Sequence, residues 1–186
     1  YQLIRAGLVG GKGVPGTVAS HPAVFLTLTA PSFGYVHTRR TSKTGQALPC
    51  RPRRRPEFCP HGVDFTCDRI HSEVEHSLGQ PFCLDCYDHH HQVVWNHLAG
   101  ELWRRTMIAL NRELTRIAKA HSVKIRLSYA KVAEFQRRGV VHFHALIRLD
   151  GRDPGDPDAI LPPHPHLDRA VLEDAVHRAV NATGFT

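Results

Sequence analysis

Apolar and polar positions alternate along two neighbouring stretches of the chain, Val123–Phe135 and Val140–Leu149. Because successive side chains of a strand point to opposite faces, each stretch predicts a β-strand with one apolar face. Gly139 suits the left-handed position of a bulged turn, so the two strands predict a hairpin. A three-residue loop, Arg137–Gly139, places both apolar faces on the same side, whereas a loop one residue longer would separate them.

Three further segments have the patterns of regular secondary structure. Ala23–Ser32 is rich in strand-forming residues and predicts a strand that Pro31 ends. From His91 to Ala120 apolar residues recur every four positions, which predicts a long core-packing helix. Asp168–Ala182 predicts a short amphipathic helix after a linker rich in Gly, Pro and Asp. The apolar stripe of the long helix consists of Val94, Leu98, Leu102, Thr106, Leu110 and Leu114, widened by Trp95, Trp103 and Met107.

The segment Thr38–Tyr87 interrupts this pattern, because it has few apolar residues and is frequently broken by Pro and Gly. It contains all five cysteines: Cys50, Cys59, Cys67, Cys83 and Cys86. An odd number of cysteines with a CxxC motif and no export signal indicates metal-binding thiols rather than disulfides. We expect one structural zinc site in which Cys83 and Cys86 are two ligands. The other two come from the remaining cysteines, with His61 and His71 in reserve, and the spacing does not decide among them.

Positive charge is concentrated in the same segment. The chain carries a net charge of +7, and Thr38–Pro56 has seven basic residues and no acidic one. Such a block favours a polyanionic partner, here DNA, although a solvated basic loop is the simpler alternative. The candidate DNA-binding residues are Arg39, Arg40, Arg51, Arg53, Arg54 and Arg55, together with Arg137 and Arg138 of the predicted hairpin loop.

The sequence gives no sign of a membrane or export route. It contains no run of 18 or more apolar residues, and no secretory signal is visible. We therefore expect a cytoplasmic protein without a membrane partner. The first residue is Tyr1 rather than Met, which suggests a piece of a longer chain.

Two histidines, His142 and His144, share the face of the second hairpin strand that is opposite to its apolar residues. With the three-residue loop, Glu134 faces His142 across the hairpin. Two imidazoles and one carboxylate can hold a divalent metal and leave coordination positions open for a substrate. The alternative is that these are two half-exposed strand histidines, since the chain has 15 histidines.

The motifs "FLTLT" (Phe25–Thr29) and "HFHAL" (His142–Leu146), with Glu134 upstream, resemble the first two motifs of the HUH endonucleases. More narrowly, the chain resembles the rolling-circle replication initiators of actinobacterial plasmids and integrative elements. The resemblance extends over nearly the whole chain through the stretches "TAPSFG", "CRPRR", "CLDCYD", "GELWRR" and "KVAEFQRRGVVHFHALIRLDG".

The resemblance implies an α+β fold whose central antiparallel sheet carries the histidine strand, with packing helices. The cysteine-rich zinc module expected from the cysteines would be an insertion in this fold. It implies Mg²⁺ or Mn²⁺ at His142, His144 and Glu134, and nicking of origin DNA by a tyrosine that becomes covalently attached to it. DNA is the implied partner, and a host replication helicase or polymerase is a further candidate.

The chain departs from the family pattern in one respect, because no tyrosine follows the histidine motif. The tyrosines are Tyr1, Tyr35, Tyr87 and Tyr129, and Tyr129 is expected to pack on the apolar face. We therefore expect a chain that ends before the tyrosine motif and is inactive by itself. The alternative function is a zinc-stapled DNA-binding module without catalysis.

The organisation predicted from the sequence has four parts. Residues 1–37 carry the "FLTLT" strand, and residues 38–88 form the basic zinc module. Residues 89–149 supply the long helix and the histidine hairpin, and residues 150–186 form a linker and a short helix.

Overall fold

A computed structural model describes residues 2–156 and 158–184. Tyr1, Pro157 of the predicted linker, and Phe185 and Thr186 at the end of the last predicted part lie outside the described residues. The fold is mixed α+β, with small antiparallel sheets. Three α-helices and five strands are described: α1 (Gln2–Val9), β1 (Ala23–Leu28), β2 (Arg40–Thr41), β3 (Ala47–Leu48), α2 (His89–Ala120), β4 (Ile125–Phe135), β5 (Val141–Gly151) and α3 (Arg169–Asn181). A 3₁₀ turn at Gly16–Ser20 precedes β1.

The histidine strand β5 is the middle strand of a three-stranded sheet with the order β1-β5-β4. Strand β1 pairs with β5 in an antiparallel register that places Thr27 opposite His144 and Leu28 opposite Phe143. The strand predicted within Ala23–Ser32 is therefore present, and it ends at Leu28, three residues before the predicted stop at Pro31. The two-stranded sheet of β2 and β3 belongs to the basic segment.

The predicted three-residue hairpin loop is confirmed. The Gln136 amide donates to the Val140 carbonyl at 2.9 Å, and the Gly139 amide donates to the Gln136 carbonyl at 2.8 Å. Gly139 has φ +73°, a left-handed conformation that glycine adopts at little cost. The turn thus fixes which residues of β4 face β5.

The chain divides into two compact units, and each combines segments that are distant in sequence. The first unit comprises the chain up to Leu28, Ala99–Ala133 and the chain from Phe143 onward. The second comprises Thr29–Leu98 and Glu134–His142. The four-part organisation drawn from the sequence stays a prediction.

The core of the first unit confirms the predicted apolar face of β5, where alternate residues from Phe143 to Leu149 are buried. Helix α3 begins at an N-cap in which Asp168 accepts the Val171 amide at 3.0 Å, and it buries four residues of one side. The buried side chains of this unit include Phe143, Ala145, Ile147, Leu149, Leu172, Ala175, Val176 and Ala179.

The stripe predicted for α2 is correct in its C-terminal half and only partly correct in its N-terminal half. Thr106, Leu110 and Leu114 are buried as expected, but Val94 is exposed and Leu102 is half-buried. An α-helix has 3.6 residues per turn, so a strict spacing of four drifts around its surface. The buried face consequently continues toward the N-terminus through Trp103 and Ala99.

Three residues of the predicted apolar face of β4, Tyr129, Ala133 and Phe135, are more exposed than expected. Phe135 is 74% exposed and Tyr129 is 54% exposed. Strand β4 lies at the edge of the sheet, so a neighbouring strand covers it on one side only. Tyr129 does pack as predicted, with its ring edge-on to Trp103 at a centroid distance of 5.6 Å.

The end of β5 carries a buried polar network that the sequence reasoning missed. Asp150 is fully buried and accepts from Arg148 Nε and Ser128 Oγ, each at 2.7 Å. His21 Nδ1 lies 2.7 Å from the same carboxylate, and Arg148 also donates to the Gly7 carbonyl. This network joins β5 to β4 and to the segment before β1.

The second unit has a small core of its own, formed by Ala30, Phe33, Tyr87 and Val140 with Val36 and Trp95 against it. The first turns of α2 hold the hairpin through hydrogen bonds. Trp95 Nε1 donates to the Val141 carbonyl at 2.9 Å, and the Asn96 side chain bonds both the Gly139 carbonyl and the Val141 amide. Side chains of α2 therefore hold the backbone just before His142 through hydrogen bonds.

None of the helices in the described part of the chain combines the length and the apolarity that a membrane span needs.

Candidate metal centres and a basic pocket

Glu134 and His142 face each other across the hairpin in the second unit. Their Oε2 and Nε2 atoms are 3.4 Å apart, and the Glu134 side chain is 56% exposed while that of His142 is 16% exposed. On the other side of the ring, His142 Nδ1 lies 3.4 Å from Nε2 of the Gln136 side chain. The predicted register therefore brings this carboxylate to this imidazole.

His144 lies two residues further along β5 and belongs to the first unit. Its Nδ1 is 3.1 Å from Thr27 Oγ1, and the Phe25 ring stacks on it at a centroid distance of 5.6 Å. Because β5 is one continuous strand, residues 142 and 144 direct their side chains to the same face. A metal site made of Glu134, His142 and His144 stays a prediction.

The five cysteines and three histidines of the second unit form two separate groups. In the first group, His37, Cys50, Cys67 and His71 bring their donor atoms within 4.8 Å of one another. Cys67 Sγ is 3.5 Å from His71 Nε2, and Cys50 Sγ is 3.9 Å from His37 Nδ1. Cys50, Cys67 and His71 are buried, so this group lies inside the unit.

The second group consists of Cys59, His61, Cys83 and Cys86, again with donor atoms within 4.8 Å. His61 Nδ1 lies 3.2 Å from Cys86 Sγ and 3.6 Å from Cys83 Sγ. The sequence "CPHG" forms a tight turn in which the Gly62 amide donates to the Cys59 carbonyl at 2.9 Å. This turn brings Cys59 and His61 to the CxxC motif.

The single zinc site expected from the sequence differs from this arrangement, since all five cysteines and both reserve histidines are shared between two groups. The sequence reasoning missed His37, which precedes Cys50 by 13 residues and stands in no recognisable ligand spacing. The two groups alternate along the chain in pairs of residues. His37 and Cys50 are followed by Cys59 and His61 of the other group, then by Cys67 and His71, and then by Cys83 and Cys86.

Titration of the second group reflects the crowding of its thiols. Burial raises the pKa of Cys59, but backbone hydrogen bonds at Val63 and His61 outweigh it and lower the pKa to about 7. Burial and the neighbouring Cys59 and Cys83 thiols raise the pKa of Cys86 to about 12. One thiolate therefore suppresses the ionisation of the next unless a cation lies among them.

The donor sets of both groups fit a zinc ion. Zn²⁺ in structural sites is held tetrahedrally by four thiolate or imidazole ligands. The first group offers two cysteines and two histidines, and the second group offers three cysteines and one histidine. Both groups could hold a zinc-like ion. In the first, burial and the nearby His71 and Arg69 lower the pKa of His37, which favours the neutral imidazole that a metal needs.

The predicted DNA-binding arginines fall into two sets. Arg39, Arg51, Arg137 and Arg138 line a pocket of about 620 Å³ in the second unit. The others lie outside its lining: Arg40 donates to the Pro49 carbonyl, Arg53 pairs with Glu57 at 3.3 Å, and Arg54 and Arg55 are exposed. DNA binding by either set stays a prediction.

Comparison with known proteins identifies the class. A family model described as "RepSA: Replication initiator protein, pSAM2" matches residues 1–186, so the chain belongs to this family of replication initiator proteins. The expected resemblance to initiators of actinobacterial elements is thereby confirmed.

A particular relative is a replication initiator protein from Streptomyces ambofaciens, which is 41% identical over 192 residues. The match covers 100% of this chain and 36% of the relative, so the chain spans about a third of that protein's length. No solved structure matches the chain.

Proposed function

We propose that the chain is the DNA-nicking region of a rolling-circle replication initiator, in which Glu134, His142 and His144 hold one Mg²⁺ or Mn²⁺ ion. The observation that carries the proposal is the 3.4 Å approach of Glu134 to His142, on the strand that also carries His144. Membership in a replication initiator family supports DNA as the substrate.

A divalent ion at these residues would act as a Lewis acid on a DNA phosphate. The chain supplies one carboxylate and two imidazoles for it, and the remaining coordination positions suit phosphate oxygens and water. The Thr27 hydroxyl accepts a hydrogen bond from Nδ1 of His144, which directs the Nε2 lone pair of that ring to the metal. A ligand ring held in this way is pre-positioned, so less order has to be created when the metal binds. The Gln136 side-chain amide can only donate to Nδ1 of His142, so it contacts that ring without selecting the metal-binding tautomer.

The nucleophile is proposed to be a tyrosine outside residues 1–186. Tyr87 is buried in the core of the second unit, and Tyr129 packs against Trp103, so both have packing roles. Tyr35 stacks under Arg51 at 3.5 Å from the guanidinium carbon to the ring centre. The full protein's activity and any host helicase or polymerase partner belong to this proposal.

We propose further that the two Cys/His groups hold two structural zinc ions. The residues from His37 to Cys86 have few apolar side chains, and metal ligation is a way to fold such a segment. On this view the fold is an initiator-type α+β domain into which residues 38–88 are inserted as a basic zinc module. The module stabilises the basic surface that DNA contacts.

A nicking assay on labelled single-stranded origin DNA with Mn²⁺ or Mg²⁺ tests the proposal. This chain and the full-length protein are compared, each beside a variant with His142→Ala and His144→Ala. Cleavage with covalent attachment by the full-length protein, abolished in the double variant, is the expected result. Cleavage that survives in the double variant would rule out these histidines as the metal site.

A second candidate is a zinc-stapled DNA-binding module without catalysis, and the two Cys/His groups within the basic segment favour it. In that case neither protein cleaves, although both bind the DNA.

A further inference from the structure

A pocket of about 620 Å³ lies within the second unit, lined by residues around Cys50 and by the hairpin loop. Its volume is within the range of roughly 300–1,000 Å³ that is typical of small-ligand sites. We infer that this pocket binds one nucleotide of a single DNA strand, next to the phosphate that lies at His142. The inference rests on the proposed function and adds a subsite to it.

The charge of the lining selects an anionic ligand. Four arginines line the pocket, and Glu73 is the acidic residue among the lining side chains. Arg51 is partly balanced by Glu57 at 3.3 Å. Arg137 and Arg138 instead donate to the backbone carbonyls of Glu73 and Ala30, at 2.8 and 3.4 Å. Carbonyl oxygens orient a guanidinium without cancelling its charge, so these groups are prepared for a phosphate.

The pocket also offers a flat surface for a base. Arg51 and Tyr35 both line it, and the guanidinium lies 3.5 Å from the centre of the Tyr35 ring. Proteins that bind single strands combine cationic groups for the backbone with aromatic and guanidinium planes on which bases stack. A paired base has no access to such a plane, which favours a single strand over a duplex.

One side chain connects the pocket to the metal histidine. Gln136 lines the pocket, and its Oε1 accepts from Arg138 Nε at 2.9 Å. Its Nε2 lies 3.4 Å from His142 Nδ1. A strand whose phosphate lies at His142 therefore has its neighbouring nucleotide at the arginines, so that the pocket sets the register of the strand at the metal.

The test compares two variants that remove the same charge. Arg39→Gln with Arg137→Gln changes the pocket, whereas Arg54→Gln with Arg55→Gln changes exposed arginines of the same basic segment outside the lining. Binding of a fluorescent single-stranded oligonucleotide is measured by anisotropy at several salt concentrations. The pocket variant should bind about tenfold more weakly, and its salt slope should fall by about 1.4, the value for two lost phosphate contacts on a single strand.

Equal losses in the two variants would overturn the inference, because charge alone would then explain binding. Competition by thymidine monophosphate as strong as that by the oligonucleotide would also overturn it in favour of a free-nucleotide site. The readout is independent of cleavage. If the oligonucleotide binds in the pocket but the full-length protein never nicks, the proposed function fails and the pocket stands. Zinc content and circular dichroism confirm that each variant is folded.

Discussion

Thr27 Oγ1 lies 3.1 Å from Nδ1 of His144, across the β1–β5 pair. A proton on Nδ1 that is donated to Thr27 places the ring's lone pair on Nε2, the atom that would ligate a metal. Thr27 belongs to the "FLTLT" motif, so this contact gives that strand motif a physical role beside the histidine motif.

Replacing Thr27 by Val should weaken binding of Mn²⁺ at the predicted site about tenfold, because partners of ligand histidines typically contribute that much. Valine keeps the strand-forming shape of threonine, so the sheet is expected to persist. Thr27→Ser retains the hydroxyl and should bind Mn²⁺ nearly as the wild type does. Isothermal titration calorimetry of the zinc-loaded protein measures the Mn²⁺ affinity of both variants. An affinity of Thr27→Val equal to that of the wild type would contradict the positioning role.

Replacing Asp150 by Ala should lower the free energy of unfolding by about 3–5 kcal/mol, because it leaves the buried Arg148 guanidinium without its counter-charge. The matched control is Asp174→Ala, which removes an exposed ion pair with Arg178 and should cost less than about 1 kcal/mol. Urea unfolding followed by circular dichroism compares the two. Similar small losses would show that the network contributes little.

Asp150 also predicts a pH dependence. Burial raises its pKa, but hydrogen bonds from Arg148, His21 and Ser128 outweigh it and hold the pKa below the ordinary 3.8. The stabilisation is therefore complete above about pH 4 and is lost as the pH falls through the lowered folded-state pKa. The stability difference between the wild type and Asp150→Asn should shrink in that acid window. A difference that stays constant from pH 5 to the lowest measurable pH would contradict this.

The alternating ligand pairs predict that the two proposed zinc sites depend on each other. Cys67→Ser should reduce the zinc content from two ions per chain to one or fewer, and the segment should lose protease resistance. His76→Ala is the control, because His76 is an exposed histidine of the same segment outside both groups. Mass spectrometry measures the number of zinc ions per chain in both variants. Loss of one ion with unchanged protease resistance would show two independent sites.

The hairpin loop packs closely against Gly79 of the cysteine-rich segment, so a side chain at this position should destabilise the fold. A Cβ atom at Gly79 would lie 2.3 Å from the Arg137 carbonyl oxygen, so Gly79→Ala should displace the loop and cost about 3 kcal/mol. Gly45 has the same φ of +84° but open space around it, so Gly45→Ala should cost only about 1 kcal/mol from the backbone. Chemical unfolding of both variants separates the clash from the backbone strain. Equal costs would mean that the loop yields easily.

The hairpin could be predicted from the sequence because its information is local. The alternation of Phe143, Ala145, Ile147 and Leu149 with polar neighbours indicated the buried face. The requirement that the apolar faces of both strands agree selected the three-residue loop, in which Gly139 takes the left-handed position. The facing of Glu134 and His142 then followed from strand geometry alone. The mixed α+β class followed from the same periodicities.

The ligand groups could not be predicted in this way. His37 approaches Cys67 and His71 through folded loops, and no spacing rule connects residues that far apart in the chain. The burial of Asp150 has the same origin, since His21 is 129 residues away from it. Exposure at an edge strand, as at Phe135, likewise depends on what covers the strand rather than on its own alternation.

The pairing of β1 with β5 has a consequence for synthesis in the cell. Thr27 and His144 are 117 residues apart in the chain. At a translation rate of about 5–20 residues per second, the partner strand of β1 is synthesised roughly 6 to 23 s after β1 itself. The whole stretch from His37 to Cys86 is translated within that interval. If the two Cys/His groups hold zinc as proposed, both can be loaded on the nascent chain before the histidine strand has been made.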